Sequence, residues 1–123
     1  MNRQTINSRT EEARIVANQN DRYRREMLRD EKSIPGRTVT TPGVVAPGPD
    51  FVLAAMLAVA SYDGFTEPND PHGERDFGAF DIVGEKLFWK IDLYDTEYRY
   101  GTVERGNLTC TMRVLTIMLR SEY

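Results

Sequence analysis

The sequence predicts an α+β fold, in which helices pack on one face of a small antiparallel sheet. Three observations predict this class. Apolar residues recur at helical spacing near the start of the chain, residues 51–60 are apolar throughout, and residues 77–93 are rich in aromatic and β-branched side chains around a glycine. A chain of 123 residues is long enough for one hydrophobic core. We therefore expect one domain over residues 1–123, with a flexible tail over residues 1–8.

The first helix is expected over about residues 9–31. Ser8 and Glu11 fit a capping box, in which the serine hydroxyl accepts a backbone N–H bond and the glutamate bonds back to the serine amide. One face then carries residues at alternating spacings of three and four, namely Ala13, Val16, Asn20, Tyr23 and Met27. The other faces are rich in arginine and glutamate. This pattern is typical of a helix that packs one narrow stripe against the core.

Three further elements are expected outside residues 77–93. Residues 37–45 are β-branched but interrupted by Pro42-Gly43, which predicts a short edge strand or a bend because proline cannot donate to a ladder. Residues 50–62 are apolar almost all round, which predicts the central core helix. A last helix is expected over residues 109–120, with four side chains directed inward: Met112, Leu115, Met118 and Leu119.

The hairpin over residues 77–93 is expected to turn at Gly84-Glu85 in a type II′ turn, which pairs Val83 with Lys86. In this register one face carries Gly78, Phe80, Ile82, Leu87, Trp89 and Ile91. The other face is mixed and partly wet, with Ala79, Asp81, Phe88, Lys90, Asp92 and Tyr94. Because strand side chains alternate, the first face is the one expected to pack against the core.

Charge is unevenly distributed along the chain. Residues 1–37 hold nine Arg and Lys against six Asp and Glu, whereas residues 50–97 hold three against eleven. A nucleic-acid-binding protein needs the opposite balance over its folded part, so direct nucleic-acid binding is not expected. The acidic body suits a protein partner with a basic surface.

The expected location is the cytoplasm. A single cysteine, Cys110, excludes an internal disulfide and a Cys-rich zinc site. The polar N-terminus does not resemble a signal peptide. The longest apolar stretch, residues 51–60, is about half the length that a bilayer crossing needs, so no membrane association is expected.

The loop before the hairpin is the strongest candidate for a site. Acidic residues and the single histidine occupy every second position, as Asp70, His72, Glu74 and Asp76. In an extended segment these side chains would share one side, where they could bind a divalent cation or supply a general acid and base. Two prolines and a glycine in the same stretch favour turns instead. In that second interpretation Asn69 and Asp70 accept backbone amides within a capped loop.

The first helix offers a second candidate, a groove formed by Asn20, Asp21 and Arg24 with His72. Asn20 interrupts the apolar stripe, so its carboxamide is expected either to pair with a neighbouring carbonyl or to stand at the edge of a groove. Asp21 can reach Arg24 or Arg25 one turn further on.

Several segments together resemble a bacterial family, the domain of unknown function 3768. They are Asn20-Asp21 with Arg24, Thr41-Pro42-Gly43-Val44, FTEPNDPHGE at 65–74, DFGAF at 76–80, FWKID at 88–92, Tyr94-Asp95, RVLTIML at 113–119 and Glu122-Tyr123. The resemblance covers about residues 18–123. This chain departs from the family pattern over residues 102–108, where the family tends to have an Asp-Pro-rich loop. The resemblance implies a single domain from a bacterial chromosome or a mobile element, and it implies no activity.

Two hypotheses on function follow. The first is a small non-enzymatic module, without cofactor or metal, that binds a basic protein surface through six acids: Glu67, Asp70, Glu74, Asp76, Asp81 and Asp92. A nucleic-acid-binding effector complex of a host defence system is one candidate partner, which would make the protein an anti-CRISPR-like inhibitor. The alternative is a small metal-dependent enzyme or ligand-binding domain that uses Asp70, His72, Glu74 and Asp76. Neither hypothesis specifies an oligomeric state.

Overall fold

The computed structural model describes the backbone of residues 3–123 and the side chains from residue 10 onward. Its elements in chain order are α1 (Arg3–Glu26), β1 (Gly36–Thr40), α2 (Pro42–Val45), α3 (Pro49–Ala60), β2 (Phe77–Ile82), β3 (Glu85–Tyr94), β4 (Met112–Leu119) and a 3-10 turn at Arg120–Glu122. Helix α1 thus includes residues 3–8, which were expected to be tail, and it ends at Glu26 rather than near residue 31. Residues 1 and 2 lie outside the described part. No helix in the described range is long and apolar enough to span a membrane.

The four strands form one mixed sheet in the order β1-β4-β3-β2. Strand β3 runs antiparallel to both β2 and β4, whereas β1 runs parallel to β4. The α+β class is therefore confirmed, and the prediction of a purely antiparallel sheet is wrong. The parallel pair arises because β4 inserts between the hairpin and β1, which stays at the edge as predicted. The strand predicted over residues 37–45 is too long, because Pro42 opens the short helix α2 at Pro42–Val45.

The predicted last helix is wrong, since residues 112–119 form strand β4. Alternate side chains Arg113, Leu115 and Ile117 are fully buried on the core face. Met118 on the opposite face is also almost fully buried. A central strand with buried residues on both faces has a nearly continuous apolar sequence. Such a sequence is compatible with helical spacing as well, which is why a helix was predicted here.

The hairpin turn lies one residue earlier than predicted. Ile82 pairs with Glu85, so the turn residues are Val83 and Gly84. Their φ values of 50° and 81° are both positive, as a type I′ turn requires. The register differs from the predicted one by two positions, and this even shift leaves every side chain on its predicted face. Leu87 and Trp89 are accordingly fully buried.

The core lies between the helices and one face of the sheet. Its buried residues include Val44 of α2, Ala55 and Val59 of α3, Tyr23 of α1 and Met27, which directly follows α1. The opposite face of the hairpin carries an aromatic cluster in which the rings of Phe77, Phe88 and Tyr123 meet at centroid distances of 5.1 to 6.1 Å.

Candidate functional site

A buried polar network connects α1 to β4. Arg113 is fully buried, and its Nε donates to Asn20 Oδ1 at 2.7 Å while its Nη2 donates to Gln19 Oε1 at 2.8 Å. Burial lowers the pKa of Arg113 to about 10, with a smaller contribution from the charge of Arg105. The two α1 side chains satisfy one edge of a guanidinium that would otherwise be costly to bury.

The same network holds two loops against α1. Asn20 Nδ2 donates to the backbone oxygen of Glu74 at 2.9 Å, which confirms that its carboxamide pairs with a carbonyl. The Glu74 carboxylate forms a two-point ion pair with Arg105, and its side chain is only 13% exposed. Gln19 Nε2 donates to the backbone oxygen of Gly106. The loop before the hairpin and the loop before β4 are therefore positioned by one helix.

Arg24 connects α1 to the end of α3. Its Nη1 donates to the backbone oxygens of Val59 and Tyr62, both at 2.9 Å, at the C-terminal end of α3, where a cation also interacts favourably with the helix dipole. Its Nη2 donates to Asp21 Oδ1 at 2.7 Å, as predicted. The other oxygen of Asp21 accepts from Arg75 Nη1 at 3.0 Å. Arg24 is buried by these contacts and braces the fold rather than lining a groove.

The loop over residues 66–76 is a hydrogen-bonded, capped loop, as the second interpretation predicted. Asn69 Oδ1 accepts the backbone N–H of Thr66 at 2.8 Å, and Asp70 Oδ1 accepts that of Arg75 at 3.1 Å. The Asp70 backbone N–H donates to the oxygen of Thr66 at 2.8 Å. Both side chains therefore close turns of the loop.

The four alternating residues of this loop do not converge. Asp70 caps the loop, Glu74 pairs with Arg105, His72 faces α1, and Asp76 faces a separate cleft at the sheet edge. Within the described part of the chain, no three His, Cys, Asp or Glu side chains come close enough together to hold a metal ion. The extended arrangement is absent because the turns point successive side chains in different directions.

A groove of about 540 Å³ runs between α1 and this loop. Asp21 and His72 line it, together with Arg14, Asn18 and Arg75. Of the four residues of the predicted groove, Asp21 and His72 thus line this opening, whereas Asn20 and Arg24 are buried in the contacts described above.

The second opening, which we call the Asp76 cleft, has a volume of about 290 Å³. It is lined by Asn20, Asp76, Ile91, Asp92, Leu93, Tyr94 and Arg105. Burial is the largest cause that raises the pKa of Asp76, and the neighbouring charges of Glu74 and Asp70 raise it further. A hydrogen bond from its own backbone N–H lowers the pKa, and Arg105 lowers it to a smaller extent. The cleft thus contains a carboxylate whose charged form is disfavoured.

A third opening, the tip groove, lies between α3 and the hairpin turn. Its volume is about 440 Å³, and it is lined by Pro47, Asp50, Phe51, Ala54, Ile82, Val83 and Glu85. Beside it, α3 exposes Leu53 and Leu57, which are 51% and 52% accessible, and the turn exposes Val83. The prediction of a central core helix is therefore only partly right, since α3 also presents an apolar face outward.

The acidic residues predicted to contact a partner protein differ in their exposure and in whether they already form an ion pair. Glu67 is exposed in the loop, whereas Glu74 is used by Arg105. On the wet hairpin face, Asp81 lies 3.8 Å from Lys86, and Asp92 pairs with Lys90 at 3.0 Å. Internal pairing therefore reduces the negative charge that this face offers to a partner.

Comparison with known proteins places the chain in a family but not in a functional class. No curated protein and no solved structure matches the chain. A family model with the description "Protein of unknown function (DUF3768)" matches residues 40–122, which include α3, the whole hairpin and β4 but not α1. Because this match covers more than half of the chain, the protein belongs to the DUF3768 family.

Proposed function

We propose that this protein is a non-enzymatic module that binds a protein partner through the tip groove and the outward face of α3. The observation that carries the proposal is the pair Leu53 and Leu57, which lie one helical turn apart and about half exposed beside an apolar groove. Half-exposed apolar side chains on the helix that walls an apolar groove are typical of an interaction site on a small protein.

The chemistry of the partner follows from the rim of the groove. Asp50 and Glu85 stand among the apolar side chains that line it. In the described part of the chain, no basic side chain pairs with either of these acids. An amphipathic segment with apolar anchors flanked by Arg or Lys would complement this surface.

The three basic residues of region 50–97 do not offset this charge. Arg75, Lys86 and Lys90 are each engaged in an ion pair, with Asp21, Asp81 and Asp92 respectively. The remaining negative potential would speed association with a basic partner and make the association rate fall as salt rises.

The finer proposal concerns the identity of that partner. The acidic surface and the bacterial setting that the family resemblance implies support a nucleic-acid-binding effector complex of a host defence system. The protein would then act in the cytoplasm as an anti-CRISPR-like inhibitor that covers the basic surface of the effector. A mobile-element origin would agree with this role.

A metal-dependent enzyme built on Asp70, His72, Glu74 and Asp76 is the weaker proposal. Asp70 closes a turn of the loop, Glu74 forms an ion pair with Arg105, and His72 lines the separate groove beside α1. A shared catalytic geometry would require the loop to rearrange.

The test uses a partner recovered from bacterial cells, purified, and measured by calorimetry against defined variants. We expect the double variant Leu53→Asp with Leu57→Asp to bind at least about tenfold more weakly, since it places charge in the apolar contact. The matched control is Val39→Asp, which alters a similarly exposed apolar residue on the edge strand β1. Equal affinity of the double variant and the wild type would refute the proposed surface.

A further inference from the structure

Strand β2 lies at one edge of the sheet and points half of its backbone hydrogen-bonding groups outward. The N–H of Ile91 donates to the backbone oxygen of Asp76 at 2.8 Å, so these two residues form a hydrogen-bonded pair. Because such pairs alternate along an antiparallel ladder, every second residue after Asp76 bonds to β3 in the same way. The residues between them point their N–H and C=O groups away from the sheet, namely Phe77, Ala79 and Asp81.

These outward groups have no partner in the described part of the chain. No hydrogen bond outside the strand pairing involves the backbone of Phe77, Ala79 or Asp81. Ala79 and Asp81 are also exposed, so the edge is open to solvent. An open row of unpaired N–H and C=O groups is a template on which a further strand can pair.

The other edge of the sheet, β1, is protected against such pairing. Pro35 directly precedes its five residues, and Pro42 follows two positions after its end. The Arg37 guanidinium lies over the ring of Tyr98, 3.6 Å from the ring centroid. Short length, prolines and charged side chains are the means by which edge strands avoid pairing with other chains. Strand β2 is longer and contains no proline, so it is the edge available for pairing.

The β2 edge adjoins the tip groove, and this continuity indicates what pairs with it. Ile82, the last residue of β2, lines the groove together with residues of α3. Alternate side chains of an added strand point to opposite faces of the sheet, so one set would lie on the helix side, where the groove is. On the outer face, Ala79 leaves room for a large side chain, and Asp81 would face a basic one.

A basic partner suits this edge better than a second copy of the chain. Residues 50–97 hold three Arg and Lys against eleven Asp and Glu, so two β2 edges placed side by side would bring like charge together. We infer that the partner binds by strand addition, in which an extended segment of it pairs with the outward groups of β2 and places alternate side chains in the tip groove. This inference rests on the proposed function and specifies the conformation of the bound segment.

The test measures two proline variants by calorimetry against the purified partner. Ala79→Pro removes an outward N–H but no bond between β2 and β3, and proline is tolerated where the N–H of an edge strand faces solvent. We expect Ala79→Pro to bind the partner at least about tenfold more weakly than the wild type. The matched control is Thr40→Pro. The N–H of Thr41 donates to Ile117 of β4, so Thr40 points its own N–H away from β4, and its replacement should leave affinity unchanged.

Amide hydrogen exchange of the wild type, followed by NMR, keeps the test decisive if Ala79→Pro does not fold. In the complex, the amides of Phe77, Ala79 and Asp81 should exchange more slowly than in the free protein, because they donate to the added strand. The outward amides of Thr38 and Thr40 on β1 should exchange at the same rate in both. Unchanged exchange at the three β2 amides would overturn the inference.

The results separate this inference from the proposed function. If Leu53→Asp with Leu57→Asp weakens binding but Ala79→Pro does not, the tip groove stands and strand addition is overturned. Equal affinity of both variants and the wild type would refute both. Strand addition is also overturned if Ala79→Pro abolishes a dimer of the free protein, because the edge would then belong to a second copy.

Discussion

Asp76 lies half-buried in a cleft and has a raised pKa, and at the scale of a single residue this has a measurable consequence for stability. Burial disfavours its charged form, and the charges of Glu74 and Asp70 add to that effect, against the weaker opposing effects of its own backbone N–H and of Arg105. Since the pKa is higher in the folded than in the unfolded protein, folding is favoured when the carboxyl is protonated. The folded state therefore loses stability as pH rises through the folded pKa.

Asp76→Asn is accordingly expected to raise the melting temperature at pH 7 by a few degrees, because the amide removes a disfavoured charge. The gain should vanish below about pH 3, where the aspartate is protonated in both states. Melting curves of both proteins across this range measure the difference. A variant that is less stable than the wild type at pH 7 would show that the carboxylate is stabilised in the fold.

Residue-level prediction from sequence succeeded where a residue broke a pattern. Asn20 interrupted an apolar stripe, and its pairing with a carbonyl followed. The burial of Arg113 could not be predicted, because an arginine is normally exposed. Nothing in the linear sequence shows that Gln19 and Asn20 accept hydrogen bonds from its guanidinium.

At the scale of elements, α1, α3, β1 and the hairpin faces could be predicted, whereas β4 could not. The register of a hairpin is set locally by its turn, but β4 pairs with β1 and β3, which lie far away in sequence or across a long loop. The outward face of α3 was also missed. An all-apolar helix gives no sequence signal of which side is exposed, so the tip groove appeared only in three dimensions.

The hairpin turn supplies a prediction at this scale. Val83 holds a φ of 50°, a left-handed conformation that β-branched residues strongly disfavour, and its side chain is 92% exposed. Val83→Asn should stabilise the protein by about 1 kcal/mol, because asparagine followed by glycine favours a type I′ turn. Urea denaturation measures this change.

The control is Val103→Asn, at an equally exposed valine outside the residues with positive φ. It should change the free energy of unfolding by less than about 0.5 kcal/mol. Destabilisation by Val83→Asn would contradict the assigned turn.

At the scale of the whole molecule, the excess of positive and the excess of negative charge are carried by different segments. Helix α1 and the segment after it carry the excess of Arg and Lys, whereas α3, the loop and the hairpin carry the excess of acids together with the exposed Leu53 and Leu57. Binding to a basic partner should therefore use one side of the molecule.

Hydrogen–deuterium exchange of the protein alone and in complex with its purified partner tests the binding surface most directly. The proposed function predicts that the complex protects residues 49–60 and 81–86, which form α3 and the hairpin turn, and leaves residues 66–76 unchanged. Protection confined to residues 66–76, with α3 exchanging as in the free protein, would contradict it.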